Sequence, residues 1–279
     1  MLKHLFKLIW KRKKMNSLMM FEIFFSFLIL FAVWTLGIYN YRNYAQPSGL
    51  ETDNVWVAFL YFNAPNDTIK AEYQELVRQQ LTRYRAVHSF AFTSSNAPFT
   101  FSSMNNNVEY NKKTTMSEIM RVEPDFPKVM NMQISEGRWF NETDKAGNYR
   151  PIVITRHLKE ELFGNESAIG KTLGNGEGAG ANDPKMKVVG VVDYFKHKDD
   201  FQKLSSCIFQ PSERWDDTMV MKVQAGSGAE LEAQISKEVA RLGKDWSIEI
   251  QQMNNMKSNR NNLVLVPVLI LLIVCSFLV

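Results

Sequence analysis

The 279-residue sequence is poor in the residues that build catalytic and metal sites, with only two cysteines and four histidines. Cys207 lies mid-chain and Cys275 in a terminal apolar run. One in lipid and one in a folded domain cannot form a disulfide, so core packing alone must hold the central region. The histidines are scattered and, with a single central cysteine, give no zinc-ligand spacing. His88, His157 and His197 are far apart in sequence, and no serine or cysteine stands in a nucleophile context. The sequence therefore predicts no catalytic residue, no cofactor site and no metal site: the chain is not read as an enzyme.

A basic face is also lacking. The formal net charge is +4, from 33 Lys and Arg against 29 Asp and Glu. Six of the bases (Lys3, Lys7, Lys11, Arg12, Lys13, Lys14) and one acid (Glu22) lie in residues 1–40, and residues 263–279 carry no charge. Residues 41–262 thus hold 27 bases and 28 acids, a net of −1. The basic balance belongs to the N-terminal tail, and no nucleic-acid footprint is present.

What is present begins with two apolar runs. Residues 19–41 (MMFEIFFSFLILFAVWTLGIYNY) are long enough to cross about 30 Å of hydrocarbon. Trp34, Tyr39, Tyr41 and Tyr44 sit towards the far end, as an interfacial belt does, and the preceding lysines place the N-terminus in the cytoplasm. A cleavable signal peptide would need a shorter core and small residues before a cut site, where this chain has Asn40-Tyr41-Arg42. Leu2, Leu5, Phe6, Ile9 and Trp10 interleave with lysines, which predicts a short amphipathic segment over residues 1–18 on the inner membrane face. Glu22, in the first turn of the span, reads as a snorkelling carboxylate or as a contact with a cytoplasmic partner. Residues 263–279 (LVLVPVLILLIVCSFLV) form the second run, with Pro267 tolerable in its first turn. The run stops without a polar flank. This predicts a second transmembrane helix truncated within a longer protein, the alternative being a natural C-terminal anchor.

Between the runs, residues 45–258 read as one mixed domain outside the cytoplasm. Residues 55–62 read as a buried strand, 67–86 as an amphipathic helix with Asp67 or Thr68 as N-cap, and 87–93 as a strand. A second βαβ unit follows near the end: strand 218–224, a break at Gly226 and Gly228, helix 229–242, strand 246–252. Two such units at the ends of a domain can complete one α+β sandwich. The intervening stretch is β-rich, with candidate strands at 108–112, 116–122, 151–155, 170–173, 185–195 and 205–209, and short helices at 125–130 and 156–163. Residues 94–107 read as a loop.

Some motifs tempt and fail. GNESAIGKT (164–172) imitates a phosphate loop, but five residues rather than four separate Gly164 from Gly170, and Gly164 reads as a helix C-cap. GNGEGAG (174–180) reads as a flexible hairpin loop. The three Asn-x-Ser/Thr matches at Asn66, Asn141 and Asn165 are weak and irrelevant to a bacterial protein. Glu160-Glu161 and Asp199-Asp200 are adjacent pairs that do not converge on one substrate, and read as solvated surface.

Residues 122–195 carry a family pattern. In order it comprises Phe126 in a short helix, Gly137-Arg138-Trp139-Phe140, the strand Ile152-Val153-Ile154, Phe163-Gly164, Ile169-Gly170-Lys171 and Val188-Val189-Gly190-Val191. This stretch resembles the periplasmic core domain of MacB-like ABC transporter permeases, of the FtsX-like superfamily. The resemblance implies an α+β membrane protein. A porter-like part (50–93 and 216–255) would carry an inserted β-rich subdomain (108–210), between a transmembrane helix at 19–41 and the start of a second at 263–279. It implies a permease subunit of the bacterial inner membrane, coupling ATP hydrolysis by a separate cytoplasmic ATPase to movement of its periplasmic domain. Implied partners are that ATPase, a second permease copy (homodimer or paired permease), membrane lipid, and a possible periplasmic or outer-membrane protein, without nucleic acid. Helices three and four of such permeases are not in the sequence. Gly137, Gly164, Gly170 and Gly190 read as turn and close-packing positions. Two other functions stand beside it: an extracytoplasmic ligand sensor, which the two-helix topology fits equally well, and a membrane-anchored enzyme, which no motif supports.

Overall fold

The computed structural model describes residues 13–63, 66–146, 149–175, 185–213, 215–243 and 246–277. Two compact units emerge: Pro47–Arg260, and the two terminal segments on either side of it.

Strand β1 (Val55–Tyr61) is apolar at nearly every position because both of its faces are covered. Trp56, Ala58 and Leu60 face one core cluster, while Val55, Val57 and Phe59 face another. Each such side chain fully buried contributes roughly 1.5–3 kcal/mol. Helices α2 (Asp67–Leu81) and α5 (Ala229–Leu242) cover the first face through Val77, Leu81, Ile235 and Val239. Strand β2 (Val87–Thr93) follows α2, and β10 (Thr218–Val223) and β11 (Ser247–Gln252) flank α5. These strands lie in the order β11-β1-β10-β2. β1 is antiparallel to both β10 and β11, and β10 is antiparallel to β2. Each βαβ unit is therefore split, with a strand of the other unit between its own two. This is the ferredoxin-like interleaving.

Everything between β2 and β10 is inserted. Strands β4 (Lys113–Val122), β3 (Asn105–Tyr110), β7 (Thr172–Asn175), β8 (Met186–Val192), β6 (Arg150–Thr155) and β9 (Cys207–Pro211) are neighbours in that order, and β9 pairs in parallel with β4. The ring therefore closes on itself, which removes the free edges. Helix α4 (Arg156–Phe163) touches β3, β4, β6 and β8 and fills the ring with Leu158, Leu162 and Phe163. Helix α3 (Phe126–Met130) and β5 (Ile134–Gly137) lie between β4 and β6 in the sequence, and β5 pairs with the end of β8. In that pairing Gly137 lies opposite Gly190. A Cβ on Gly137 would lie 2.2 Å from the Val189 carbonyl oxygen, and one on Gly190 2.2 Å from that of Arg138. Two backbones meet here without room for side chains.

Helix α1 (Lys13–Tyr44) and helix α6 (Met253–Phe277) are long and apolar enough to cross a membrane. An α+β domain thus lies between two apolar helices.

Several expectations need correction. The last helix starts at Met253, not near 263, because its first two turns have their own buried face. Helix α2 ends at Leu81 rather than 86, since two turns at Tyr84 and Val87 reverse the chain into β2. Its N-cap is Asn66, whose side chain accepts from the Ile69 amide, and not Asp67 or Thr68. Strand β3 starts at Asn105, inside the expected 94–107 loop, and β8 ends at Val192, before 195. The strand expected at 170–173 lies at Thr172–Asn175, and β5 and a 3₁₀ turn at Glu142–Ala146 had no expectation. Residues 1–12 of the amphipathic segment expected at 1–18, and residues 176–180 of the loop expected at 174–180, lie outside the described residues.

A candidate coupling junction where the chain enters and leaves the domain

Four segments meet at one end of the Pro47–Arg260 unit: residues 47–54, the loops 94–104 and 193–206, and the first two turns of α6. Met253 and Met256 are buried in the core cluster that also holds Val55, Phe99 and Phe195. Lys257 Nζ lies 3.1 Å from Asp200 Oδ1. Arg260 Nε donates to the Lys198 carbonyl at 3.1 Å. On the other side Asn254 Nδ2 donates to Asp53 Oδ1 at 2.8 Å. Residues 47–51 are held as firmly. The Lys196 amide donates to the Ser48 carbonyl at 2.9 Å, and the Glu51 amide to the Met130 carbonyl at 3.0 Å. Glu51 is also ion-paired with Lys222 of β10. The start of α6 is thereby bonded both to the ferredoxin-like half and to the loop that follows β8 of the barrel.

Beneath this surface sits a buried polar cluster. Glu118 of β4 accepts from Asn96 Nδ2 at 2.8 Å and from the Met104 amide at 2.7 Å. His197 Nε2 lies 3.7 Å from Glu118 Oε2, an ion-pair rather than a hydrogen-bond distance, and carries no hydrogen bond. His197 Nδ1 is 3.0 Å from Ser205 Oγ, and its ring stacks on Phe195. Burial pushes the Glu118 carboxyl up, but His197, the Met104 amide and the Asn96 amide together outweigh that and hold its pKa at about 2. The His197 carbonyl in turn accepts from the Phe99 amide. The cluster thus ties together β4 and the two loops that touch α6.

Asp199 and Asp200, expected to be solvated, are joints of this knot. Asp199 Oδ1 accepts from the Phe201 and Gln202 amides, and Asp200 meets Lys257. Glu161 accepts from Ser206 Oγ at 2.7 Å. Local spacing does not reveal these roles because every partner is distant in sequence. His197 was read as isolated for the same reason.

The family residues are structural. Phe126, Trp139 and Phe140 pack in the core with Phe209. Phe163 packs on Tyr110 at 4.4 Å between ring centroids, with Lys171 over both rings. Gly164 caps α4 at φ +61° and Thr172 opens strand β7 rather than a helix, so the phosphate-loop reading fails on context as well as spacing. Among the described residues no group of His, Cys, Asp and Glu could hold a metal ion.

A family model described as the MacB-like periplasmic core domain matches residues 25–242. The chain belongs to this family. A curated relative, the macrolide export ATP-binding/permease protein MacB of Pasteurella multocida (strain Pm70), is 31% identical over 81 residues. That alignment covers 29% of this chain and 12% of the relative. The crystal structure of the periplasmic region of MacB from Actinobacillus actinomycetemcomitans is 14% identical, with a TM-score of 0.52 over 78% of this chain and 97% of that one. The two share the fold. The extracellular domain of the noncanonic ABC-type transporter YknZ from Gram-positive bacteria matches at 16% identity and a TM-score of 0.47, over 70% of this chain and 100% of that one. The ferredoxin-like half and the inserted barrel described above are thus this chain's version of a MacB-like periplasmic core, in a transporter permease family.

Proposed function

We propose that this MacB-like chain is a permease subunit of the bacterial inner membrane that converts cytoplasmic ATP hydrolysis into movement of its periplasmic domain. The observation that carries this reading is the junction. The first two turns of a membrane-length helix are built into the domain core, through Met253 and Met256, and bonded to both subdomains, through Asn254 and Lys257. A displacement of such a helix is passed to the domain rather than absorbed by a linker. The N-terminus lies in the cytoplasm, following the Lys/Arg cluster before α1. In this reading ATP is hydrolysed by a separate cytoplasmic ATPase subunit. The permease acts as a homodimer or with a paired permease. A periplasmic or outer-membrane protein receives the motion.

The test is to purify the full chain from its native membrane and assay for a bound ATPase subunit. With that complex, the double variant Lys257→Ala/Asn254→Ala is expected to keep ATP hydrolysis while losing the conformational response of residues 105–211, read by an inter-loop fluorescence distance. Copurification without any ATPase, or an unchanged response in the variant, refutes the proposal.

A further inference from the structure

Phe101 is 75% exposed, yet the loop that carries it is held by several hydrogen bonds. Phe99, two residues earlier, is buried at φ +65°, with its amide bonded to the His197 carbonyl. Thr100 Oγ1 donates to the Ala97 carbonyl at 2.8 Å, and Ser95 and Ser102 hydroxyls lie 3.2 Å apart across the loop. Single exposed apolar residues are ordinary on protein surfaces. What sets Phe101 apart is its neighbour. The Arg260 guanidinium lies 4.4 Å over its ring. Arg260 stands three residues before Leu263, where the apolar run of α6 begins. At a helical rise of 1.5 Å per residue, that is about 4.5 Å from the first residue of the hydrocarbon span. A ring stacked on Arg260 is therefore at headgroup depth. An aromatic ring beside a guanidinium, with an apolar body and a polar companion, is the chemistry of an interfacial anchor.

We propose that the 98–101 loop docks on the lipid surface. Phe101 enters the headgroup–acyl boundary of the leaflet in which α6 begins, and Arg260 meets a lipid phosphate beside it. The loop is thus a third membrane attachment of the domain, beside the two helices. This inference rests on the reading that α6 spans a bilayer.

The test uses the full chain in phosphatidylethanolamine–phosphatidylglycerol nanodiscs, with an environment-sensitive fluorophore on Phe101→Cys. Cys275 is replaced by serine, while Cys207 is fully buried and stays unlabelled under native conditions. Lipids carrying a nitroxide just below the headgroup serve as quenchers. A label on Arg241→Cys, at the far end of α5 and separated from α6 by the length of β11, is the aqueous control, and one on Leu269→Cys is the membrane control. At position 101 the expected result is blue-shifted emission with quenching at least about twofold above the Arg241 control, falling when Arg260 is replaced by glutamine. Quenching at 101 equal to the Arg241 control, with Leu269 quenched, overturns the loop proposal and leaves the span intact. A blue shift without lipid quenching means protein rather than lipid covers Phe101 and also overturns it. Absence of quenching at Leu269 overturns the spanning reading itself.

Discussion

Replacing Glu118 by alanine removes the one charge around which loops 94–104 and 193–206 are organised. The Met104 amide loses its 2.7 Å acceptor, while Asn96 Nδ2 keeps the Ile119 carbonyl at 2.9 Å. One fully orphaned buried donor and one weakened donor cost about 2–4 kcal/mol together. The carboxyl's pKa puts the same ties on a second scale. It falls from 4.5 to about 2 on folding, which is worth about 3 kcal/mol at neutral pH. Because the folded value is the lower one, this stabilisation is fully present above pH 4.5 and is lost as pH falls towards 2. Glu118→Gln keeps an acceptor in place and removes only the charge. Its expected loss at pH 7 is about 2–3 kcal/mol, against about 3–5 kcal/mol for Glu118→Ala, which also leaves a void. The assay is urea unfolding of the full chain in detergent, followed by tryptophan fluorescence at several pH values. The wild-type advantage over Glu118→Gln should shrink steadily below pH 4.5. An advantage below about 1 kcal/mol at pH 7, or one that does not change on acidification, refutes the assignment of Glu118 as a buried, ionised tie.

Other positions give sharper or simpler tests. Gly190→Ala and Gly137→Ala each drive a Cβ to 2.2 Å from a carbonyl oxygen, and should cost more than about 3 kcal/mol in thermal unfolding or abolish folding. Gly164→Ala meets no atom within 4 Å and suffers only its backbone conformation, for a loss of about 1–3 kcal/mol, so equal effects at all three positions would contradict the packing described. Lys257→Ala and Asp200→Ala in a double-mutant cycle should show a coupling of about 1 kcal/mol, as expected for a partly buried pair, and additive losses would remove this tie from the junction. The Cys207 thiol is pushed up by burial and then by Glu118, so a maleimide should label it only on unfolding, and labelling of the native chain would refute its burial.

Much of the chain was legible because its signals are local. The two spans follow from uninterrupted apolar runs, and helix α5 from its spacing of Leu231, Ile235, Val239 and Leu242. Strand β1 read as buried because seven successive positions are nearly all apolar. The glycines of the family pattern read as close-packing positions, and Gly137 and Gly190 stand face to face. Helix ends were less legible. Asn66 and Asp67 offer the same capping chemistry, and only the backbone shows which side chain reaches the Ile69 amide. The start of α6 was hidden because residues 253–262 are mostly polar. Only Met253 and Met256 mark the face that the domain buries.

The residues of the junction were the least legible. Asp200, His197 and Glu118 each look like an ordinary surface group in their own stretch of sequence. Their roles come from partners brought in by the fold.

The amino-acid order by itself determined which segments are apolar enough to leave water, which repeat with the period of a helix or a strand, and where side chains are too small for anything but close backbone contact. These properties depend on neighbours within a few residues. Only the tertiary structure decided that the two βαβ units interleave, that β9 closes the barrel on β4, and that a buried carboxylate and two loops lock onto the first turns of α6. Those outcomes depend on pairings between residues far apart in the chain, whose free energy exists only once the intervening segments have folded.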